Sequence, residues 1–122
     1  MSAPQPSRAR RITDEVLSWA GTTAAPHRFG GVELRLGRRE IGHLHGDEVA
    51  DVPFPRRVRD RLVADGRAAA HHWLPDSGWV TFRMTRDEDV PQALELLRLS
   101  YDRALAAAEA GDRRRDAARG DD

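Results

Sequence analysis

Alternating apolar and polar residues mark two segments of the chain as strands. Every second residue is apolar in residues 32–36 (VELRL) and in residues 79–84 (WVTFRM). Because side chains in a strand point alternately to its two faces, each segment predicts a half-buried strand. Residues 40–46 predict a further strand after a turn at Gly37. Residues 48–52 are a candidate strand, and residues 67–73 predict a weak one.

Apolar residues at helical spacing predict three helices. The first begins near Thr13, a residue type that caps helix N-termini well, and ends at Gly21. The second covers roughly residues 56–64, directly after two prolines. The third runs from Val90 to Ala108 with an apolar stripe along one side.

The order of elements is therefore α-β-β-(β)-α-β-β-α, with hairpins and no βαβ repeat. This order predicts an α+β fold, a two-layer sandwich with helices packed on one face of a mainly antiparallel sheet. The folded domain is predicted to cover residues 12–108. Residues 1–11 are rich in Pro, Ser and Arg, and residues 109–122 carry charges but no apolar side chain larger than alanine. Both ends predict disordered tails.

Composition narrows the classes of partner. The 122 residues suffice for one domain, and 20 basic residues balance 20 acidic ones, so no net field favours nucleic acid or a membrane as a partner. No cysteine is present, which excludes disulfides, thiolate metal sites and a cysteine nucleophile. No apolar run approaches the ~20 residues of a membrane span, and the N-terminus lacks the apolar segment of a signal peptide. A cytoplasmic protein is predicted.

Histidines supply the candidate chemistry. His43 and His45 form an H-x-H pair on a predicted strand, so both imidazoles point to one side of it. His27 precedes them, and His71 and His72 are adjacent to each other. Imidazole changes charge near neutral pH and is the commonest metal ligand. Any chemistry is therefore expected around His43 and His45.

Which side of the strand at residues 40–46 faces the helices decides which residues lie on the other face of the sheet. Simple alternation places Ile41 on the same side as His43 and His45, and Leu44 on the other. If Ile41 faces the helices, both histidines are core residues satisfied by hydrogen bonds. If Leu44 faces the helices, the histidines lie on an open face that fits a small-molecule ligand or a partner subunit, as in a homodimer. The other residues on that face are then Glu33, Arg35, Trp79, Thr81 and Arg83.

A metal site is an alternative to acid–base chemistry. His43 and His45 supply two ligands, and such a site needs three or four. Nitrogen and oxygen ligands of this kind suit Zn, Fe or Mn. The residues that could complete the set are His27, His72, Glu33, Glu40 and Asp47.

Several spaced motifs together resemble the luciferase-like domain family, which is named for the fungal luciferases and includes many small bacterial proteins. They are HRFGG-x-E-x-x-x-G-x-x-E-x-GHxHG at residues 27–46, PFP at 53–55, HH-x-x-P-x-SGW at 71–79 and LLRLSY at 96–101. The resemblance covers about residues 12–108. The last motifs also look like the YjbR (MmcQ-like) double-layer fold, in agreement with the predicted order of elements.

The resemblance implies an oxygenase. Fungal luciferases oxidise a hydroxylated α-pyrone with molecular oxygen, and are thought to need no added cofactor. Carried over by motif, the pocket would contain His27, Arg28, His43, His45, His72 and Trp79. One imidazole would act as general base on an acidic enol, and Arg28 would hold the enolate. The chain lacks the N-terminal membrane anchor of the fungal enzymes and is much shorter, so light emission is not expected.

Two alternatives to this cofactor-free oxygenase stay open. One is a non-catalytic module that binds a ligand or partner on the same face. The other is a metal enzyme built on His43 and His45. Loss of turnover on replacing both histidines fits either enzyme, whereas the binding module has no turnover to lose.

Overall fold

A computed structural model describes residues 5–27 and 30–120 of the chain. The helices in this part are α1 (Arg8–Leu17), α2 (Arg56–Ala64) and α3 (Val90–Gly120). The strands are β1 (Thr22–Pro26), β2 (Val32–Leu36), β3 (Arg39–His45), β4 (Val49–Pro53), β5 (Ala69–Ala70) and β6 (Trp79–Arg83).

All six strands form one antiparallel sheet in the order β1-β2-β3-β4-β6-β5. The three helices contribute to a single apolar core with the sheet, through residues such as Ile12 of α1, Leu62 of α2 and Leu97 of α3. The predicted α+β sandwich is therefore confirmed. The edge strand β1 was not predicted, because it is mostly exposed and has no apolar alternation to mark it. Among the described residues, no helix is both long and apolar enough to cross a membrane.

The helix boundaries near both ends of the chain differ from the prediction. Helix α1 begins at Arg8 rather than near Thr13, because the Ser7 hydroxyl accepts a hydrogen bond from the backbone N–H of Arg10 at 3.1 Å. Asp47 accepts a second one from the N–H of Ala9 at 3.0 Å. Helix α3 continues to Gly120 instead of ending near residue 108, and its last turns are almost entirely exposed.

Residues 67–73 also depart from the prediction of a weak strand. Only Ala69 and Ala70 pair with β6. Trp73, at the end of the predicted strand, is 77% exposed.

A β-bulge in β3 decides which side chains face the helices. Leu34 lies opposite Gly42 and Arg35 lies opposite Glu40, so Ile41 has no partner on β2. The extra residue resets the alternation of side chains. Ile41 and Leu44 are therefore both buried in the core, while His43 and His45 lie on the other face. The two alternatives considered for this strand are not exclusive, because the bulge satisfies the burial of both apolar residues.

Candidate functional site

Four polar residues form a row across the centre of the sheet. Glu33 lies opposite His43, His43 opposite Asp51, and Asp51 opposite Thr81, on strands β2, β3, β4 and β6. Residues directly opposite each other in adjacent strands point to the same face. The row therefore lies on the face opposite the apolar core.

Asp51 is the centre of the site. Its side chain is 0% exposed, and its Oδ1 accepts a hydrogen bond from the Thr81 hydroxyl at 2.7 Å. Its Oδ2 lies 3.1, 3.2 and 3.4 Å from the Nε2 atoms of His43, His45 and His71. Burial raises the pKa of Asp51, but the hydrogen bonds from His43 and Thr81 outweigh it and lower the pKa to about 2. One buried carboxylate thus orients three imidazoles.

His43 has a carboxylate at each ring nitrogen. Its Nε2 faces Asp51, and its Nδ1 lies 2.7 Å from Oε1 of Glu40. Burial lowers the pKa of His43, but the hydrogen bonds to the two carboxylates outweigh it and raise the pKa to about 9. His43 is therefore an imidazolium at neutral pH, donating from both nitrogens.

The protonation of His71 follows from its neighbours. Its Nδ1 accepts a hydrogen bond from the backbone N–H of Trp73 at 3.2 Å. An imidazole nitrogen that accepts carries no proton, so the proton of His71 is on Nε2 and directed towards Asp51.

His45 differs from the other two imidazoles because one of its nitrogens is free. Its Nε2 lies beside Asp51, and its side chain is 37% exposed. No hydrogen-bond partner for its Nδ1 occurs in the described part of the chain. Burial and the positive charge of His43 lower the pKa of His45. His45 is therefore neutral at pH 7, and a proton on Nε2 leaves the lone pair on Nδ1.

His43, His45 and His71 line a cavity of about 270 Å³. Trp79 lies beside His43, with 5.1 Å between ring centroids, and His27 stacks on His43 at 4.5 Å. Aromatic walls around a few placed polar groups are typical of small-molecule sites. The lining residues are His27, Glu40, His43, His45, His71, Trp73, Leu74 and Trp79.

The predicted site residues are only partly brought together. His27, His43, His45 and Trp79 line the cavity, whereas Arg28 lies outside the described residues. Glu33 and Arg35 bind each other at 2.5 Å and do not line it. His72 stacks on His71 and Trp73 outside the cavity, and Arg83 lies beside a different hollow with Arg8. The functional roles assigned to these residues stay predictions.

Asp51 was missed although the sequence contains a signal for it. It is the one charged residue in the strand VADVP at residues 49–53. A carboxylate in the middle of a buried strand needs partners, because an unpaired buried charge is strongly unfavourable. The register that places Asp51 opposite His43 could not be inferred without the fold. Trp73 and Leu74 were also missed, because no clear alternation around them assigns their side chains to one face of the sheet.

Two groups of side chains have donor atoms close enough to share a metal ion. The donor atoms of His43, His45 and Asp51 lie within 4.8 Å of one another, and so do those of His27, Glu40 and His43. Both groups offer the nitrogen and oxygen ligands that suit Zn, Fe or Mn. A metal bound to Nε2 of His43 would replace the proton that this nitrogen directs to Asp51.

The His43–Asp51 pair predicts how stability depends on pH. The pKa of His43 rises from 6.5 to about 9 on folding, so its stabilising contribution is complete below pH 6.5 and is lost as the pH rises to about 9. The pKa of Asp51 falls from 3.8 to about 2, so its contribution is complete above pH 3.8 and is lost as the pH falls to about 2. We expect the difference in unfolding free energy between wild type and His43→Gln to shrink between pH 6.5 and about 9. Urea unfolding at several pH values measures this difference, and a constant difference would contradict the assignment of the imidazolium.

The comparison with family models agrees with the resemblance that the motifs indicate. The family model described as "Luciferase domain" matches residues 38–100, about half of the chain, including the H-x-H pair and Asp51. No curated protein and no solved structure matches the chain. The chain belongs to the luciferase-domain family.

Proposed function

We propose that this luciferase-like domain binds a small acidic or enolic molecule in the histidine-lined cavity, with His45 as the general base. The observation that carries the proposal is the environment of His45. Its Nε2 lies 3.2 Å from Oδ2 of Asp51 and its Nδ1 has no partner among the described residues, so Nδ1 is the basic nitrogen that His45 brings to the cavity. Such a pairing fixes the tautomer and stabilises the imidazolium that forms on proton transfer.

The charge of His43 supports an anionic ligand. The His43 and His45 rings are 4.8 Å apart between centroids, so an enolate formed at His45 lies near the imidazolium of His43. A fixed positive charge where negative charge develops stabilises the transition state for deprotonation. Trp79 lies beside the His43 ring and adds an apolar wall to the same cavity.

We further propose that the bound enolate is oxidised by molecular oxygen without an added cofactor. Family membership supports this part of the proposal, since the luciferase reaction is an oxidation by oxygen. The enolate carbon donates its electron pair to O₂ and forms a carbon–oxygen bond, and O₂ is reduced to a peroxide. The proton taken up by His45 returns to the peroxide, so the enol and O₂ together give a hydroperoxide. Light emission is not expected of this domain.

We expect replacement of His45 to remove turnover. Oxygen uptake is measured with a panel of cyclic enols that includes 4-hydroxy-6-methyl-2-pyrone. For the enols that wild type oxidises, His45→Gln should lower the rate by about 10²- to 10⁴-fold, the usual contribution of a general base. Arg39→Gln is the matched control, because Arg39 is exposed on the same strand. Undiminished oxygen uptake by His45→Gln would show that His45 is not the base. Binding without any oxygen uptake would instead favour a non-catalytic module.

A metal enzyme is the second candidate, favoured by the close donor atoms of His43, His45 and Asp51. The two candidates differ in their response to a chelator. Under the cofactor-free proposal, oxygen uptake survives dialysis against a strong chelator. Under the metal alternative, oxygen uptake is lost and returns when Zn, Fe or Mn is added.

A further inference from the structure

Two large apolar side chains stand exposed at the rim of the cavity. Trp73 is 77% exposed and Leu74 is 51% exposed, and both line the cavity opening. Adjacent apolar side chains of this size are normally buried, so their exposure beside a binding cavity indicates a binding surface. Like the lining residues His27 and His71, they lie outside the strands and helices.

Residues 71–79 carry these two side chains, and this segment is fixed at both of its ends. At its end, the carbonyl of Gly78 accepts a hydrogen bond from the N–H of Phe54 at 3.1 Å, and a Cβ on Gly78 would lie 1.6 Å from the Phe54 carbonyl oxygen. At its start, the N–H of His71 donates to the carbonyl of Trp79 at 3.3 Å. Between these points, the ring of Trp73 rests against His71 and His72 at the surface. Among the described residues, the backbone of this tip (residues 72–77) makes no hydrogen bond to a strand, so a shift of the tip breaks none.

One hydrogen bond and two close polar contacts connect this tip to the candidate base. The N–H of Trp73 donates to Nδ1 of His71 at 3.2 Å, and Nε2 of His71 lies 3.4 Å from Oδ2 of Asp51. The same Oδ2 lies 3.2 Å from Nε2 of His45. His71 thus sets the position of the Trp73 backbone relative to the carboxylate that orients His45.

We propose that Trp73 and Leu74 form a lid that closes over the ligand, and that His71 is the positioning residue that ties this lid to Asp51. The inference rests on the proposed function, because it takes the cavity to be the ligand site. Closure buries the two apolar side chains against the ligand and removes water from the space above His43 and His45. Water exclusion strengthens the charge interactions that stabilise an enolate. It also selects for ligands that offer an apolar surface on the side away from the histidines.

Fluorine NMR of the protein labelled with 5-fluorotryptophan tests the lid. The chain has three tryptophans, and the Trp73 signal is assigned by its absence in Trp73→Phe. On addition of 4-hydroxy-6-methyl-2-pyrone, we expect the H₂O/D₂O solvent shift of the Trp73 signal to fall towards that of a buried ring. Trp19 is the internal control, because it packs against Tyr101 away from the cavity, with 5.3 Å between ring centroids. If the Trp79 signal reports binding while the solvent shift of the Trp73 signal stays that of an exposed ring, the lid proposal is wrong. If neither signal responds and calorimetry detects no binding of the pyrone, the proposed ligand class fails instead.

Affinity measurements test the individual residues. Trp73→Ala should weaken binding of the pyrone by about tenfold or more, because burial of an aromatic side chain is lost, and should leave the unfolding transition unchanged. In His71→Gln, the Gln amide can still donate to Asp51 but cannot hold the N–H of Trp73. We therefore expect His71→Gln to reduce the ligand-induced protection of Trp73 while the protonation of His45 stays as in wild type. Full protection of Trp73 in His71→Gln would overturn the positioning role of His71.

Discussion

Replacing Asp51 with Asn is expected to remove the acid–base function of the site and to destabilise the fold. An amide is neutral and has a single oxygen, so it cannot accept from Thr81 and from three imidazoles at once. His43 loses one of its two carboxylate partners and His45 loses the group that fixes its tautomer. Removing one partner of a buried ion pair typically costs about 3–5 kcal/mol. Amidation of the carboxylate that orients a catalytic histidine lowers turnover by about 10⁴-fold in a serine-protease triad, and we expect a comparable loss.

Urea unfolding and oxygen uptake measure the two effects of Asp51→Asn separately. The control is Glu48→Gln, which removes an exposed carboxylate just before the same strand and should change neither property. If Asp51→Asn matched wild type in both measurements, Asp51 would not be the centre of the site. If it were unstable but fully active, Asp51 would be a structural residue only.

Replacing Gly31 with Ala is expected to destabilise the fold strongly, because it combines backbone strain with a clash against the backbone of β3. Gly31 has a φ of +83°, and a Cβ there would lie 1.9 Å from the carbonyl oxygen of Leu44. The clash is with backbone, so β2 would have to move away from β3 at the point where His43 and His45 are held. Left-handed backbone strain costs about 1 kcal/mol for alanine, and overpacking adds about 1–3 kcal/mol. We therefore expect a loss of about 2–4 kcal/mol.

Gly46→Ala is the matched control for Gly31→Ala. Gly46 also has a positive φ, +58°, but a Cβ there would meet nothing within 4 Å. Its substitution therefore carries only the backbone strain. Thermal or urea unfolding should show that Gly31→Ala is clearly less stable than Gly46→Ala. Equal stability of the two variants would show that β2 does not approach β3 as closely as described.

The part of the fold with strong periodicity could be predicted from the sequence. The alternation in residues 32–36 and 79–84 and the helical pattern after Val90 identify the two half-buried strands and the last helix. Elements without such a pattern could not be found. Strand β1 is an exposed edge, and the start of α1 depends on Asp47 and Ser7, which reach the helix N-terminus from outside it.

The site illustrates the same limit. The H-x-H spacing was enough to place His43 and His45 on one face, but not to decide which face, because the bulge at Ile41 leaves no sequence pattern of its own. Asp51 and His71 join the histidines only through strand register and a turn, which are tertiary features. Motif resemblance named His27 and Trp79, which line the cavity, and also His72, which stacks on His71 and is not among the lining residues.

The protonation of the histidines at neutral pH is the most direct test of His45 as the general base and His43 as the imidazolium. Long-range ¹H–¹⁵N correlation spectra report whether each ring nitrogen carries a proton. We expect both nitrogens of His43 to be protonated, and His45 and His71 to be protonated at Nε2 only. Assignment comes from the single His→Gln variants. A proton on Nδ1 of His45, with none on Nε2, would contradict the account, because the lone pair would then face Asp51 and no basic nitrogen would be left for a ligand.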